Sequence, residues 1–149
     1  MSPRADQFTE IDPAAAARWH KFGATAQTWF PQLLGLCVED VRDGYCRMRM
    51  PFRAELLHAG GVVHGGALAS LLDSVLVPAI GVSLPEGANF STVDLHVQFV
   101  ESLVDEDAVA EGWIVRRGRR TVFGESEVHA ANTKRLIAKA ISTFNVRTA

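Results

Sequence analysis

A single carboxylate stands in the middle of the longest apolar segment of this 149-residue chain. Asp73 is the only ionisable residue between Gly66 and Glu86, and leucines and valines surround it. Burying an unpaired carboxylate is costly, so its position needs a physical reason. Asp73 either lies on a polar helix stripe with Ser70 and Ser74, or it faces a cleft, where a carboxylate can act as a nucleophile or a general base.

A glycine-rich turn immediately precedes this segment. If a helix begins near Gly65, its first N–H groups form an end that binds an anion or a carbonyl oxygen. Gly66 and Asp73 are seven residues apart, a rise of about 10 Å, so one helix cannot bring both onto one small carbonyl group. Two antiparallel copies could, with Asp73 of one chain near Gly65 and Gly66 of the other. This predicts a two-fold dimer with two shared sites.

The elements that position these residues follow from hydrophobic patterning. Residues 65–80 are almost wholly apolar and predict a buried helix, which Pro78 should end or kink. Before it, residues 36–41 and 45–51 flank an Asp-Gly pair and predict a hairpin. After it, four extended stretches with short separators predict a four-stranded meander: 90–101, 107–117, 121–131 and 134–146. Asp12 before Pro13 predicts the start of one or two N-terminal helices.

A helix that is apolar nearly all round must be wrapped by a sheet rather than lie on it with one wet face. The expected fold is therefore α+β, a curved antiparallel sheet wrapped around a long central helix. An N-terminal helical extension is predicted for residues 1–34 and the main domain for residues 35–149.

Composition excludes several classes of protein. Fifteen basic and seventeen acidic residues give a net charge of −2, too balanced for a protein that coats nucleic acid or an anionic membrane. Cys37 and Cys46 are too few for a disulfide scaffold, and no Cys/His cluster offers a metal site. The N-terminus has no apolar signal core, and no stretch reaches the roughly 18 apolar residues of a membrane span. A cytoplasmic protein without nucleic-acid or membrane partners is expected.

Four arginines surround one glycine in a predicted strand turn: Arg116, Arg117, Gly118, Arg119 and Arg120. Recognition of nucleic acid would need a wider basic face with interleaved aromatic residues, which make up only 8% of the chain. Two interpretations remain, a solvated turn and a cluster that binds phosphate, because guanidinium groups bind phosphate bidentately.

The segment HAGGVVHGGALASLLD, residues 58–73, resembles the signature of PaaI-type hotdog-fold acyl-CoA thioesterases. That signature runs from an amide residue through a glycine and His-Gly-Gly to an acidic residue in the central helix. The resemblance covers residues 35–146 and includes Thr92-Val93-Asp94 and the arginine turn. It implies a hotdog domain that forms a dimer and, from it, a tetramer, and that hydrolyses an acyl-CoA thioester to a free acid and CoA. No metal or redox cofactor is needed, because Asp73 and the helix end would activate water and polarise the carbonyl. CoA is part of the substrate.

The resemblance also implies roles for individual residues. Asp73 matches the catalytic carboxylate, either nucleophile or base. Gly65, with Gly66 behind it, matches the backbone N–H that polarises the thioester carbonyl, and His64 matches the histidine that shapes this turn. A hydroxyl that holds the attacking water falls at Thr92, with Ser91 as the close alternative. Some arginines of the turn would grip the phosphates of CoA.

One position departs from the family pattern. His58 stands where relatives often have Asn or Gln, six residues before His64. An imidazole can still donate or accept a hydrogen bond, but its charge can change near neutral pH. Either the activity depends on pH through His58, or the orienting role of this position is weakened.

Two other functions fit a hotdog domain. One is acyl-CoA binding or sensing without turnover. The other, less favoured, is hydration or dehydration of an enoyl thioester, for which the usual Asp/His arrangement is not found in this sequence. The acyl group is not specified either, since apolar residues such as Trp19 and Phe90 could line its pocket or belong to the core.

Overall fold

The structure is a computed structural model that describes residues 4–22, 28–85 and 87–147. Two single 3₁₀ turns, Ala5–Gln7 and Ala54–Leu56, accompany four helices and six strands. The helices are α1 (Pro13–His20), α2 (Phe30–Leu33), α3 (Gly65–Ser74) and α4 (Leu76–Gly81). The strands are β1 (Cys37–Arg42), β2 (Tyr45–Met50), β3 (Asn89–Phe99), β4 (Ala108–Arg117), β5 (Thr121–Ala130) and β6 (Leu136–Arg147).

The six strands form one antiparallel sheet in the order β1-β2-β4-β5-β6-β3. The hairpin β1–β2 is confirmed, but the four-stranded meander is wrong: β3 pairs with β6 at the far edge instead of with β4. The connection after β3 does not turn back on itself. It carries the buried Leu103, whose carbonyl accepts a hydrogen bond from the N–H of Val63 at 2.8 Å, so it passes the loop before α3. β4 meanwhile pairs with β2.

The sheet curves around α3 and α4, which confirms the predicted α+β architecture. Val75 and Leu76 are fully buried against the inner face of the sheet. Two glycines permit this close approach. A Cβ at Gly112 of β4 would lie 2.7 Å from Cγ1 of Val75, and a Cβ at Gly124 of β5 would lie 2.8 Å from Cδ2 of Leu76. The helix backbone can therefore pack directly onto the middle of the sheet.

The central helix is interrupted at Val75, three residues before Pro78. Pro78 has no N–H to donate to the carbonyl of Ser74, which weakens the helix one turn earlier. Val75 nevertheless keeps helical dihedrals, φ −64° and ψ −25°. α3 and α4 are therefore nearly continuous, and residue spacing along a helix face is preserved through the break.

The N-terminal extension packs on the main domain. Asp12 caps α1 by accepting hydrogen bonds from the N–H groups of Ala14 and Ala15 at 2.8 and 3.3 Å, as predicted. Phe8 stacks on Tyr45, with ring centroids 5.2 Å apart, and Trp19 of α1 lies against Gly81. Part of the predicted helical segment, residues 23–27, lies outside the described residues, and the domain boundary after residue 34 stays a prediction. None of the helices in the described ranges is long and apolar enough to cross a membrane.

Candidate active site

The turn before α3 is organised by an imidazole. His64 is the N-cap residue, and its Nδ1 accepts a hydrogen bond from the N–H of Gly66 at 2.8 Å. Its own N–H donates to the carbonyl of Leu56 at 2.7 Å. A side chain at residue 66 would not fit, since a Cβ there would lie 2.9 Å from Nδ1 of His64. The helix begins at Gly65, as the sequence predicts.

Gly65 is the first residue of α3, where the backbone N–H has no partner within the helix. A Cβ at Gly65 would lie 3.0 Å from Cζ of Phe99, the last residue of β3. The glycine therefore lets an aromatic ring rest on the start of the helix. Phe99 is not among the residues singled out from the sequence. The sequence signal that could have identified Phe99 is its even spacing from Leu95 and Val97, which places it on the inner face of β3.

His58 repeats the geometry of His64. Its Nδ1 accepts from the N–H of Gly60 at 2.8 Å, and the two imidazole rings lie 6.3 Å apart at an interplanar angle of 81°. An imidazole that accepts at Nδ1 carries its proton on Nε2 when neutral. The structure thus brings His58 and His64 together as two exposed side chains, each with an Nε2–H donor.

Asp73 and Thr92 form a direct pair between helix and sheet. The hydroxyl of Thr92 donates to Oδ1 of Asp73 at 2.8 Å. Thr92 is paired with the buried Phe144 on the inner side of the sheet, whereas its neighbour Ser91 is paired with Asn145. Side chains alternate along a strand, so Ser91 lies on the outer face. Of the two predicted hydroxyls, the structure brings only Thr92 to the carboxylate.

The serines near Asp73 do not share its surroundings. Ser74 is only 9% exposed, and the hydroxyl of Ser70 donates to the carbonyl of Gly66 at 2.7 Å within the same helix. Asp73 itself is half-buried. The simple alternative, a polar stripe of all three residues facing solvent, does not describe this helix.

The four arginines of the turn do not all lie in the same place. Arg117 donates to the carbonyl of Ser83, which ties it to the loop after α4. Arg116 is paired with Phe123 on the outer face of the sheet. Arg119 and Arg120 line a cleft of about 700 Å³ together with Arg147 at the end of β6. The turn itself is closed by the N–H of Gly118, which donates to the carbonyl of Thr121 at 2.7 Å. Arg147 is a member of this basic cluster that sequence reasoning missed, because it is distant in sequence.

Tyr45 and Cys46, which lie outside this site, have raised pKa values. Burial raises the pKa of the Tyr45 phenol, as does its hydrogen bond to Glu111 at 2.6 Å. Burial also raises the pKa of the Cys46 thiol, which makes it a poor nucleophile. Among the residues that the structure describes, no group of three or more His, Cys, Asp or Glu side chains could hold a metal ion.

Comparisons with known proteins identify the family of this chain. The model of the thioesterase superfamily matches residues 60–137, 78 of the 149 residues. A protein of Halobacterium salinarum, provisionally named an esterase, is 36% identical over 100 residues. These residues span 64% of this chain and 66% of that protein, which is just under two thirds of its length. Human acyl-coenzyme A thioesterase 13 is 25% identical over 116 residues, 76% of this chain and 82% of that one.

The fold is shared with solved structures. A thioesterase of Haemophilus influenzae superposes with a TM-score of 0.81 over 95% of this chain and 94% of that one, although the identity is only 15%. A curved antiparallel sheet wrapped around a central helix is the hotdog fold that these thioesterases share. The chain belongs to the thioesterase superfamily. Its assignment to the PaaI type within that family stays a prediction.

Proposed function

We propose that this protein is an acyl-CoA thioesterase that hydrolyses its substrate to a free carboxylic acid and CoA. The observation that carries the proposal is the hydrogen bond from Thr92 to Asp73. It holds a half-buried carboxylate beside a hydroxyl on an exposed part of β3. A carboxylate oriented in this way can remove a proton from water or attack a carbonyl carbon itself. The acyl-CoA thioesterase named among the relatives is consistent with this substrate class.

Two routes lead from this pair to the same products. In the first, Asp73 takes a proton from a water held by Thr92, and the water oxygen attacks the thioester carbon. In the second, a carboxylate oxygen attacks and forms an anhydride, which water then cleaves. In both, the carbon–sulfur bond breaks and the thiolate of CoA takes up a proton. One turnover in ¹⁸O-labelled water separates the first route from an anhydride that water cleaves at Cγ of Asp73: the first places ¹⁸O in the acid, whereas the second places ¹⁸O in Asp73 and releases an unlabelled Asp73 oxygen in the acid.

The carbonyl oxygen is proposed to bind at the start of α3 of the partner subunit. Gly65 supplies the backbone N–H there, with the helix dipole behind it. β3 is an edge strand of the sheet, and Val93 and Phe99 on it are 62% and 57% exposed. An edge with unpaired backbone groups is suited to pairing with a second copy. A two-fold dimer of this kind, alone or within a tetramer, would complete each site.

The arginine cleft is proposed to bind the phosphates of CoA. Asn145 connects it to the site, since this residue is paired with Ser91 on one side and with Thr121 on the other. Arg119, Arg120 and Arg147 therefore lie at the same end of the sheet as Thr92. Neither a metal ion nor a redox cofactor takes part in this route, because Asp73 and the helix end supply proton transfer and carbonyl polarisation.

The direct test is the variant Asp73→Asn, assayed for release of free thiol from a panel of aliphatic and aromatic acyl-CoAs. Activity should be abolished while unfolding temperature and oligomer size stay unchanged. Asp94→Asn, which changes a carboxylate two residues beyond Thr92 on the same strand, is the matched control and should keep activity. Full activity of Asp73→Asn would refute the assignment. Thioester that stays intact while bound to wild type would identify a binding protein, and a change in enoyl absorbance would identify a hydratase.

A further inference from the structure

A cavity of about 270 Å³ lies between α1, the end of α4 and the start of β3. Its walls include the small or apolar residues Ala15, Trp19, Gly81, Leu84 and Phe90, and Arg18 of α1 adds one charged side chain at the cavity. No step of the proposed hydrolysis uses these residues. Cavities of this size and lining are typical sites for an apolar part of a small molecule.

One face of the central helix leads from the candidate catalytic carboxylate to Gly81 in the wall of the cavity. Asp73, Val77 and Gly81 are each half-buried, whereas the other residues of the segment 71–80 are buried. They are four residues apart, so they share one face of the central helix. The helical dihedrals of Val75 keep this face aligned through the break. From Asp73 to Gly81 this helix face rises about 12 Å.

The strand β3 also leads from the candidate site to the cavity. Phe90 and Thr92 are separated by one residue and lie on the same face of the strand, about 7 Å apart along it. Phe90 is paired with Val146 and packs beside the ring of Phe144, with centroids 6.3 Å apart. One strand face therefore leads from the hydroxyl that holds Asp73 to the ring that lines the cavity.

The N-terminal helix α1 forms one wall of the cavity. A Cβ at Gly81 would overlap the indole of Trp19, so Trp19 rests directly on the backbone at the end of α4. Ala15 lines the same cavity from the previous turn of α1, and its side chain is exposed. A helix of the extension thus bounds the cavity at the place where the helix face of Asp73, Val77 and Gly81 ends.

We infer that this cavity binds the end of the acyl chain of the substrate, and that α1 sets the length of chain that the enzyme accepts. The inference rests on the proposed function. With the thioester carbon beside Asp73, the chain runs along Val77 and ends between Trp19 and Phe90. The preferred substrates are apolar, medium-length acyl-CoAs. Acetyl-CoA is too short to reach the cavity, so its hydrolysis does not depend on α1.

The test is a chain-length series of acyl-CoAs from acetyl to palmitoyl with wild type, Ala15→Phe and Ala17→Phe. Ala17 is turned about 160° from Ala15 around α1, so Ala17→Phe adds the same ring on the opposite face. Ala15→Phe should lower kcat/KM for decanoyl-CoA at least tenfold and leave acetyl-CoA within twofold, whereas Ala17→Phe should match wild type. Equal losses for acetyl- and decanoyl-CoA would place the pantetheine arm in the cavity and overturn the inference. An unchanged profile would also overturn it while leaving the thioesterase proposal intact.

A binding measurement tests the cavity without turnover. In an Asp73→Asn protein that also carries Trp29→Phe and Trp113→Phe, Trp19 is the remaining tryptophan. Decanoyl-CoA with a terminal bromine should quench its fluorescence, because quenching by bromine requires close approach, and unbrominated decanoyl-CoA should not. Saturating binding without quenching would refute the inference. This measurement remains decisive if wild type hydrolyses none of the acyl-CoAs, a result that would by itself refute the proposed function.

Discussion

The hydroxyl of Thr92 lies 2.8 Å from Oδ1 of Asp73 and joins the edge strand β3 to the central helix. The bond crosses the boundary between the two structural layers at a point where β3 carries a bulge. The register shifts between Thr92 and Asp94, so Val93 has no paired residue on β6. The bulge turns Thr92 to the helix and Asp94 to the outer face.

Removing the hydroxyl of Thr92 should impair catalysis. Thr92→Val is expected to lower kcat about 10- to 100-fold, since a hydrogen bond to a charged group is worth about 1.5–3 kcal/mol. Thr92→Ser should keep most of the activity because it keeps the donor. Steady-state kinetics with one acyl-CoA measures both. Thr143→Val, the same change on the outer face of β6, serves as the control, and equal effects of the two valine variants would argue against a role for the Thr92–Asp73 bond.

Arg119 and Arg120 should contribute to the affinity for CoA. The variants Arg119→Gln and Arg120→Gln are each expected to raise KM for acyl-CoA about two- to fivefold, since exposed charge pairs contribute at most about 1 kcal/mol. The effect should weaken at high salt. KM for the corresponding acyl-pantetheine, which has no nucleotide, should not change. Lys139→Gln removes a charge from the outer face of β6 as a control, and a similar loss with acyl-pantetheine would exclude phosphate binding as the cause.

The two glycines beneath the central helix should differ in their tolerance of a methyl group. Gly112→Ala is expected to destabilise the protein by about 1–3 kcal/mol, the usual range for overpacking, because its Cβ would meet the branched and stiff side chain of Val75. Gly124→Ala should cost less, because its Cβ would first meet the flexible end of Leu76. Urea unfolding measures both.

A double variant tests the cause of this difference. Leu76→Val should recover part of the stability lost in Gly124→Ala but not that lost in Gly112→Ala. Additive effects of Gly124→Ala and Leu76→Val would show that these two positions do not interact.

Glu106 should make folding stability depend on acid pH. Hydrogen bonds from Asn132 and Thr133 lower the pKa of Glu106 below its ordinary value of 4.5. A carboxyl with a lowered pKa in the folded state stabilises the protein above its unfolded pKa, and this contribution is lost as pH falls through the folded value. Wild type should therefore lose more stability below about pH 4.5 than Glu106→Gln does. Asp105→Asn is the control, and parallel stability curves for wild type and Glu106→Gln would contradict the prediction.

The central element of the fold could be predicted from the sequence because its signals are local. An apolar run preceded by His-Gly-Gly determines where the helix begins, and Asp73 is conspicuous because it is the only ionisable residue in that run. The first hairpin likewise depends on an Asp-Gly turn between two alternating strands. The position of β3 could not be predicted in this way, because short separators are compatible with several strand orders, and the neighbour of β3 depends on the path of the connection through Leu103.

The sequence by itself determined that a carboxylate lies in a buried helix that starts at a glycine, since burial and helix geometry follow from residue types and spacing. Only the tertiary structure decided which residues join it. It selected Thr92 over Ser91, because one bulged residue sets which face of β3 a side chain occupies. It also separated Arg116 and Arg117 from Arg119 and Arg120 and added Arg147 to the latter pair. Such contacts depend on strand register and on pairing between distant segments, which no local pattern in the chain encodes.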